Sequence, residues 1–303
     1  MNPLTLFEIE FIKTTRRAAF WITAGIYTLF AILVLSFLVF AAQAVNVNNQ
    51  EVLLRLPEGW SGLIGLFKWF STIYVPVTIT LLVASEFTYR TARQNVIDGL
   101  SKEEFFLSKL FLVFLTALIY LLIFWVTVFA FGAVGSAKAA STAPLMRWQD
   151  VELVIAYFVV LLGYGTIAFF FSFLTRSSGA AMASTLLYTI VIENIVSLAM
   201  GFSDSLSKFT KYLPTKVFDD LLNPLRYDSE KLAQATERIQ KMRDELELIV
   251  RDMPSRAEQA EQFLRQMEQS LPAHDGALAY TLAFGYMITI CAAIYLIFRQ
   301  RDL

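Results

Sequence analysis

Six long apolar runs alternate with polar segments along the chain. They are Ala18–Ala42, Leu63–Ala84, Leu110–Val134, Val151–Leu174, Gly179–Met200 and Ala277–Phe298. Each run is roughly 20–25 residues long and nearly free of charge, which is the length that an α-helix needs to cross a bilayer. The pattern predicts an all-α fold: a polytopic membrane protein with six transmembrane helices.

Composition supports a membrane protein and removes several classes of chemistry. Of 303 residues, 56% are hydrophobic and 17% charged, which is more apolar and less charged than a soluble domain. Cys291 and His274 are the single cysteine and histidine, so a disulfide within the chain, a histidine-activated nucleophile and the common zinc motifs are excluded. The sequence has no phosphate-loop motif and no basic patch, which argues against ATP binding by this chain and against nucleic acid.

The distribution of positive charge predicts the orientation. An even number of spans places both termini on one side of the membrane. The basic residues expected on that side are Lys13, Arg16, Arg17, Arg90, Arg93, Lys102, Lys109, Arg176, Arg299 and Arg301. The opposite segments carry Arg55, Lys68, Lys138 and Arg147. Because cytoplasmic loops are enriched in lysine and arginine, we expect both termini to be cytoplasmic.

Two polar regions flank or interrupt the spans. Met1–Arg17 interleaves apolar and charged residues, which is typical of an amphipathic helix at the membrane surface. The largest polar segment lies between the fifth and sixth spans. We therefore divide the chain into a transmembrane domain at 1–200, an external insertion at 201–276, and the sixth span with a cytoplasmic tail at 277–303.

The polar island Ser85–Lys109 separates the second and third spans. Its apolar positions are Val96, Ile97 and Leu100, and its polar ones include Arg90, Arg93, Gln94 and Asp98. The pattern predicts a short amphipathic helix that stops at Gly99, followed by a helix that Ser101 caps together with Glu104. Since an ordered element is seldom needed between two spans, we expect a partner to dock on it.

The same island resembles the first cytoplasmic loop of bacterial ABC exporter permeases of the type-2 class. The matching positions are Glu86, Thr91, Arg93, Gln94, Asp98, Gly99, Leu100, Ser101 and Lys109. In that family the loop forms a coupling helix that sits in a groove of the ATP-binding subunit. The resemblance implies a set of ATPase-coupling residues: Glu86, Arg90, Thr91, Arg93, Gln94, Asp98, Gly99 and Leu100. It also supports the interfacial helix at the N-terminus.

The resemblance further implies partners and location. A member of that family lies in the bacterial cytoplasmic (inner) membrane, works with two copies of a cytosolic ABC ATPase subunit, and pairs with a second permease copy, here expected as a homodimer. ATP and magnesium would be bound by the ATPase, and this chain would hold no cofactor, metal or catalytic residue. The exported substrate would be hydrophobic or amphipathic: a lipid, a peptide or a drug.

The external insertion has two parts. Leu206–Leu222 alternates apolar and charged residues and is interrupted at Pro214, which resembles the short external helices of the same family. In 229–271, apolar residues at heptad positions on both sides of Pro254 predict an antiparallel helical hairpin. This hairpin could cap the exit, dimerise, recruit an external partner, or be a stable decoration. His274, in the loop after it, is expected to be solvated.

Pro76, Glu193 and Asn194 are candidates for the translocation path. Pro76 lies inside the second span and is expected to kink it. Glu193 and Asn194 lie in the outer part of the fifth span, where a carboxylate normally faces protein or water rather than lipid. A path-lining role for Glu193 and a role as partner of a neighbouring polar group are both open.

Small residues indicate where helices approach one another closely. Gly163 and Gly165 are expected to admit a neighbouring helix to the fourth span, and Gly179 with Ala183 is expected to give the fifth span a tightly packed face.

Two functions remain. The first is the permease subunit of an ATP-driven ABC exporter. The alternative is a six-span scaffold or a secondary transporter with no motor. A secondary transporter usually shows inverted repeats, broken helices and midplane ionisable groups, which this sequence lacks. The motor-free alternative also leaves the element Thr91–Leu100 without a purpose, so the exporter permease is favoured.

Overall fold

The computed structural model describes residues 3–45, 56–97, 99–138, 144–252, 263–264, 267–268 and 270–300. The regular structure in these ranges is helical. The longer helices are α1 (Pro3–Thr15), α2 (Ala18–Val45), α3 (Trp60–Thr88), α5 (Lys102–Lys138), α6 (Trp148–Thr175), α7 (Ser178–Leu186), α8 (Glu193–Gly201), α11 (Ser229–Asp252) and α12 (Gly276–Gln300). The shorter ones are α4 (Thr91–Ile97), α9 (Asp204–Ser207) and α10 (Pro214–Leu221).

Six helical segments are long and apolar enough to cross a membrane. They are α2, α3, α5, α6, the continuous segment Ser178–Gly201 that contains α7 and α8, and α12. The prediction of an all-α protein with six transmembrane helices is therefore confirmed. The fifth segment is not uniform, because Leu187–Ile192 forms a π-helical stretch between α7 and α8. Such stretches are frequent at functional sites, and Glu193 follows directly.

Helix α6 is the centre of the bundle. It is the most deeply buried of the six spans and packs against α3, α5, α7, α10 and α12. A Cβ atom on Gly165 would lie 2.7 Å from Cδ1 of Ile79, and one on Gly163 would lie 2.7 Å from the ring of Phe218. Because real Cβ atoms do not approach that closely, a larger residue at either position would force these neighbouring side chains to shift, which agrees with the close approach of helices predicted there.

Hydroxyl groups tie three spans together inside the membrane. The Tyr157 hydroxyl lies 2.6 Å from the Ser71 hydroxyl and 3.2 Å from that of Tyr27. The three residues are buried and belong to α6, α3 and α2. Since lipid offers no partner for a hydroxyl, this triangle favours one arrangement of the three helices.

The face of the fifth span that packs within the chain differs from the predicted one. Gly179 and Ala183 are exposed, and a Cβ on Gly179 would meet no atom within 4 Å. The small buried residues are instead Ala181 and Thr185. The predicted pair lies two residues before the buried pair, on the opposite side of the helix, and it points away from this copy of the chain.

The two ends of the bundle have different structures. The end that carries α4, called here the α4 end, also holds α1, the beginning of α5 and the end of α12. The Lys102 Nζ donates to the Arg299 carbonyl at 3.3 Å, and the Phe105 and Phe298 ring centroids lie 5.8 Å apart. The Phe7 ring of α1 stacks on Phe111 of α5 at 4.5 Å, so the N-terminal helix and the end of the last span are at the same end of the molecule.

The opposite end, called the α10 end, is built by the segment after the fifth span. Pro214 was expected to break a helix, but it is the first residue of α10. At this position proline is favourable, because its missing N–H is not needed and its φ suits the helix. The apolar residues of α10 (Val217, Phe218 and Leu221) are buried, and the helix packs between α6 and α12.

The hairpin is described in part. Its first arm is α11, and Arg243 of that arm pairs with Glu268 at 2.5 Å, which brings the second part of the segment alongside α11. Residues 253–262, where the predicted turn falls, lie outside the described residues. The expectation that His274 is solvated is wrong: it is 7% exposed and its Nδ1 lies 3.1 Å from Asp220 Oδ2.

Candidate functional site

The chain turns sharply between α3 and α4. Arg90 makes the turn with φ of 58°, in the left-handed region that favours glycine. For a residue with a side chain this conformation costs roughly 1–2 kcal/mol. Arg176, which ends α6 at the same end of the bundle, also has a positive φ of 54°. Among the described residues other than glycine these two share the feature, so the strained backbone is concentrated at the α4 end.

Helix α4 stops where the sequence predicted. Gly99 has a φ of 107°, its N–H donates to the Val96 carbonyl, and the Leu100 N–H donates to the Asn95 carbonyl, both at 3.1 Å. These two bonds form a Schellman motif, which satisfies the last carbonyls of a helix. The predicted cap on α5 is also present, since Ser101 and Glu104 exchange hydrogen bonds of 2.9 and 3.1 Å.

Helix α4 has one buried and one exposed face. Ala92 is buried and Asn95 and Val96 are partly buried against the bundle. Besides Thr91, the exposed side chains are Tyr89, Arg90, Arg93, Gln94 and Ile97, and these five are called here the α4 face. Ile97, one of the apolar positions of the predicted amphipathic helix, is 68% exposed. The α4 face thus combines cations with two large apolar side chains, a composition suited to a protein contact.

The remaining predicted coupling residues are distributed over both faces. Thr91 is tied to the preceding span, because its hydroxyl donates to the Glu86 carbonyl at 3.2 Å. Leu100 is partly buried and packs against the core. Asp98 lies outside the described residues, so its predicted contact stays a prediction.

Glu86 is the most constrained residue of the predicted set. It lies in the last turn of α3 and is 1% exposed. Its Oε1 accepts from Arg17 and lies 2.7 Å from Lys13 Nζ and 2.9 Å from Lys109 Nζ. Its Oε2 accepts from the Asn95 amide of α4 at 3.3 Å. One carboxylate therefore joins α1, the residue that precedes α2, and helices α3, α4 and α5.

A second carboxylate completes this group. Glu10 of α1 is buried and pairs with Lys109 at 2.5 Å. Arg17 also donates to the Leu82 carbonyl at 2.9 Å, which fixes the start of α2 against α3. We call the five residues Glu10, Lys13, Arg17, Glu86 and Lys109 the Glu86 cluster; it contains three cations and two carboxylates.

The Glu86 cluster connects the helices at the α4 end, so that one of them cannot move without the others. Buried charges must be paired, because an unpaired charge in this environment costs several kcal/mol. Burial and then the neighbouring Lys109 lower the pKa of Lys13, while Glu86 opposes this by favouring the ammonium form. A displacement of α4 or α1 that separates Glu86 from its cations is therefore costly, and the elements are expected to move together.

Sequence reasoning found Glu86 but missed most of its partners. Lys13 and Arg17 were interpreted as surface charges that set the orientation, and Glu10 and Asn95 were given no role. A usable signal was present: a carboxylate in the last turn of a span requires cations at the same depth, and Lys13, Arg17 and Lys109 all follow or precede spans at that end.

Comparison with known families identifies the kind of protein to which this geometry belongs. The sequence matches the family described as ABC-2 family transporter protein over residues 6–192, which is more than half of the 303 residues. The chain belongs to the ABC-2 transporter family. The search of curated proteins gives no match. The matched region of this ABC-2 permease includes the Glu86 cluster and the α4 face, and it ends at the π-helical stretch before Glu193.

The path candidates are placed apart from this site. Pro76 is buried within α3, which continues through it from Trp60 to Thr88. Glu193 is buried at the other end, where its Oε1 accepts from the Thr215 N–H of α10 at 2.7 Å. Asn194 accepts from Lys216 at 3.2 Å and is exposed. Both polar residues of the fifth span thus hold the start of α10; a path-lining role for the three candidates stays a prediction.

Proposed function

We propose that this ABC-2 permease is the membrane subunit of an ATP-driven exporter and that the α4 face docks a separate ATPase. The observation that carries the proposal is the connection from an exposed helix through Glu86 to α1 and three spans. A motor acting on α4 would act on all of them. A scaffold with no motor has no use for such a connection, which is why the motor-free alternative is disfavoured.

The α4 face has the chemistry of a docking surface. It offers Arg90 and Arg93 beside the exposed Tyr89 and Ile97. Arginine and tyrosine are enriched among residues that dominate protein interfaces. The strained backbone at Arg90 further supports a role at this position, because a glycine would adopt the turn without cost.

The proposal includes an orientation, a location and partners. The α4 end is cytoplasmic in it, in agreement with the concentration of lysine and arginine there, and the membrane is the bacterial cytoplasmic membrane. ATP and magnesium are bound by two copies of the ATPase. A second permease copy completes the transporter as a homodimer, and the outward-pointing Gly179 and Ala183 offer it a face of small residues.

The direction of transport is export, and the substrate is hydrophobic or amphipathic. ATP-driven closure of the two ATPases would displace α4, and the Glu86 cluster would pass that displacement to α1 and to the first three spans. Lipids, peptides and drugs fit a translocation path between such apolar helices equally well.

The test is co-purification of the tagged chain with an ABC ATPase from its native membrane. The double variant Arg90→Ala with Arg93→Ala is compared with Arg238→Ala with Lys241→Ala, which removes two exposed cations from α11 at the α10 end. We expect the first pair to release the ATPase or to abolish the response of ATP hydrolysis to the permease, and the second to have no effect. An unchanged complex with unchanged hydrolysis in the first pair, or the absence of any ATPase, would favour the motor-free scaffold.

A further inference from the structure

An open apolar groove runs along the surface of the membrane bundle. It has a volume of about 530 Å³ and is bordered by α5, α6 and α12. Its lining includes Phe106, Val113, Leu162, Met287, Ala292 and Tyr295. Residues from Phe284 to Tyr295 of α12 line it, so the groove extends along about three turns of that helix. It lies wholly within the three spans and is separate from the Glu86 cluster and the α4 face.

The groove offers almost no polar partner along its length. The Thr166 hydroxyl donates to the Leu162 carbonyl of its own helix at 2.8 Å, and the Tyr295 hydroxyl donates to Glu103 at 3.2 Å. The part of the occupant that lies in the groove must therefore be an apolar chain. Because the groove is inside the membrane and opens sideways, we infer that it holds one acyl chain of a phospholipid from the surrounding bilayer.

The end of the groove near α4 carries the charges that a phospholipid requires. Lys102 precedes the lining residue Phe106 by one helical turn, and Arg299 follows the lining residue Tyr295 by one turn, so each cation lies on the same face as the groove. The Lys102 Nζ is 3.3 Å from the Arg299 carbonyl, which places the two helices' charged ends together. A phosphate above the groove would meet both side chains.

Two carboxylates stand at the same end, and both have partners. Glu103 accepts from Tyr295 at 3.2 Å, and Glu104 accepts from the Ser101 backbone at 2.9 Å in the helix cap. Each carboxylate is therefore held by a partner within the chain.

The phosphate contact decides which lipid is preferred, and the groove must be open for that lipid to be seated. An acyl chain gains little by leaving bilayer hydrocarbon for an apolar groove, because both surroundings are equally apolar. A basic side chain near the phosphate contributes on the order of fivefold in binding. The headgroup therefore selects a phospholipid, while the groove fixes where its chain lies.

The experiment measures lipid retained by the detergent-purified chain in native mass spectrometry. The probes are phosphatidylethanolamine and diacylglycerol with identical chains, added in equal amounts after removal of endogenous lipid. We expect the wild type to retain one phosphatidylethanolamine and to discriminate against diacylglycerol, which lacks the phosphate. Lys102→Gln with Arg299→Gln should reduce the discrimination by about fivefold per removed cation, and Ala292→Trp, which fills the groove, should abolish retention.

Matched controls separate a specific site from a general effect. Leu296→Trp adds the same side chain to an exposed position of α12 that does not line the groove, and Arg238→Gln with Lys241→Gln removes two distant cations. Both should retain the lipid as the wild type does. Equal retention of the two probes, or retention unaffected by Ala292→Trp, overturns the inference.

Occupation by protein has its own signature. If Ala292→Trp lowers the ratio of dimer to monomer and leaves lipid retention unchanged, a helix of a second copy fills the groove and the inference is likewise overturned. The inference depends on the membrane location of the three spans and not on the proposed ATPase, so failure of either leaves the other testable.

Discussion

The two ends of the membrane bundle each bury a carboxylate, and they satisfy it in different ways. At the α4 end, Glu86 is surrounded by Lys13 of α1, Arg17 just before α2, and Lys109 of α5. At the α10 end, Glu193 accepts from a backbone N–H of one short helix. The first arrangement joins elements that are far apart in sequence, whereas the second fixes a local segment.

The difference indicates which end can transmit a displacement. A carboxylate shared by several cations cannot lose one helix without leaving buried charge unpaired. A carboxylate bonded to the first turn of a helix completes the open N–H groups there, in the manner of a cap. The α4 end is therefore built to couple elements, and the α10 end is built to hold α10 in place between α6 and α12.

The largest effect is expected from Glu86→Gln. This change leaves three cations in the Glu86 cluster with Glu10 as the one remaining carboxylate, and removal of one partner from a buried ion group costs about 3–5 kcal/mol. We expect a strongly lowered melting temperature in detergent, or failure to accumulate in the membrane. Glu8→Gln is the control, since Glu8 is exposed on α1. A melting temperature equal to that of the control would show that the cluster does not bind the elements together.

A smaller effect is expected at the α10 end, where two variants of Glu193 can be compared. Glu193→Ala removes the acceptor and leaves the Thr215 N–H buried without its partner, at a cost of about 1–3 kcal/mol. Glu193→Gln keeps an oxygen that can accept this bond, so its loss of stability should be much smaller. The measurement is the melting temperature of each variant in detergent. If the melting temperatures of both Glu193 variants fall by as much as that of Glu86→Gln, the two ends do not differ in how they satisfy a buried carboxylate.

The smallest effect is expected at the start of α11, in the polar segment between the fifth and sixth spans. Asp228 caps this helix, accepting from the Lys231 N–H at 3.0 Å, and this bond, followed by the Lys231 side chain, lowers the pKa of Asp228. A lowered carboxyl pKa means that the stabilisation is present above the ordinary value near 4 and is lost as pH falls through the folded-state value. Asp228→Ala should cost about 1 kcal/mol of helix stability at neutral pH.

Circular dichroism checks this last prediction. The helix content of the wild type should decrease slightly relative to Asp228→Ala as the pH is lowered towards 3, and the two should converge once the carboxylate is protonated. If the difference in helix content between wild type and Asp228→Ala persists unchanged at low pH, the charge of Asp228 is not what stabilises the start of α11.

Much of the fold could be predicted from the sequence. The six spans follow from length and apolarity, and the stop at Gly99 and the cap at Ser101 follow from local backbone chemistry that needs no tertiary information. Gly163 and Gly165 were identified as places of close helix packing because they lack a Cβ, although their neighbours Phe218 and Ile79 are known only from the packed structure.

The site could be predicted less completely, for a physical reason. Which charges are buried depends on how helices that are distant in sequence pack, so Lys13 and Arg17 look like surface residues until α1 lies against α3 and α5. The same holds for His274, which is buried because Asp220 of α10 lies beside it. The exposure of Ile97 could not be predicted, because a helix of seven residues is too short for its apolar pattern to define a face.

The most direct test of the central claim is a cross-link between α4 and the ATPase. In a Cys291→Ser background, the chain has no cysteine, so Arg93→Cys introduces a single thiol on the α4 face, and Lys241→Cys introduces one on α11 as the control. A short bifunctional maleimide reagent is applied to native membranes. The account predicts a covalent product of the Arg93→Cys chain with an ABC ATPase and no such product for Lys241→Cys. An ATPase product from Lys241→Cys, or none from Arg93→Cys, would contradict the assignment of α4 as the element that couples this permease to its motor.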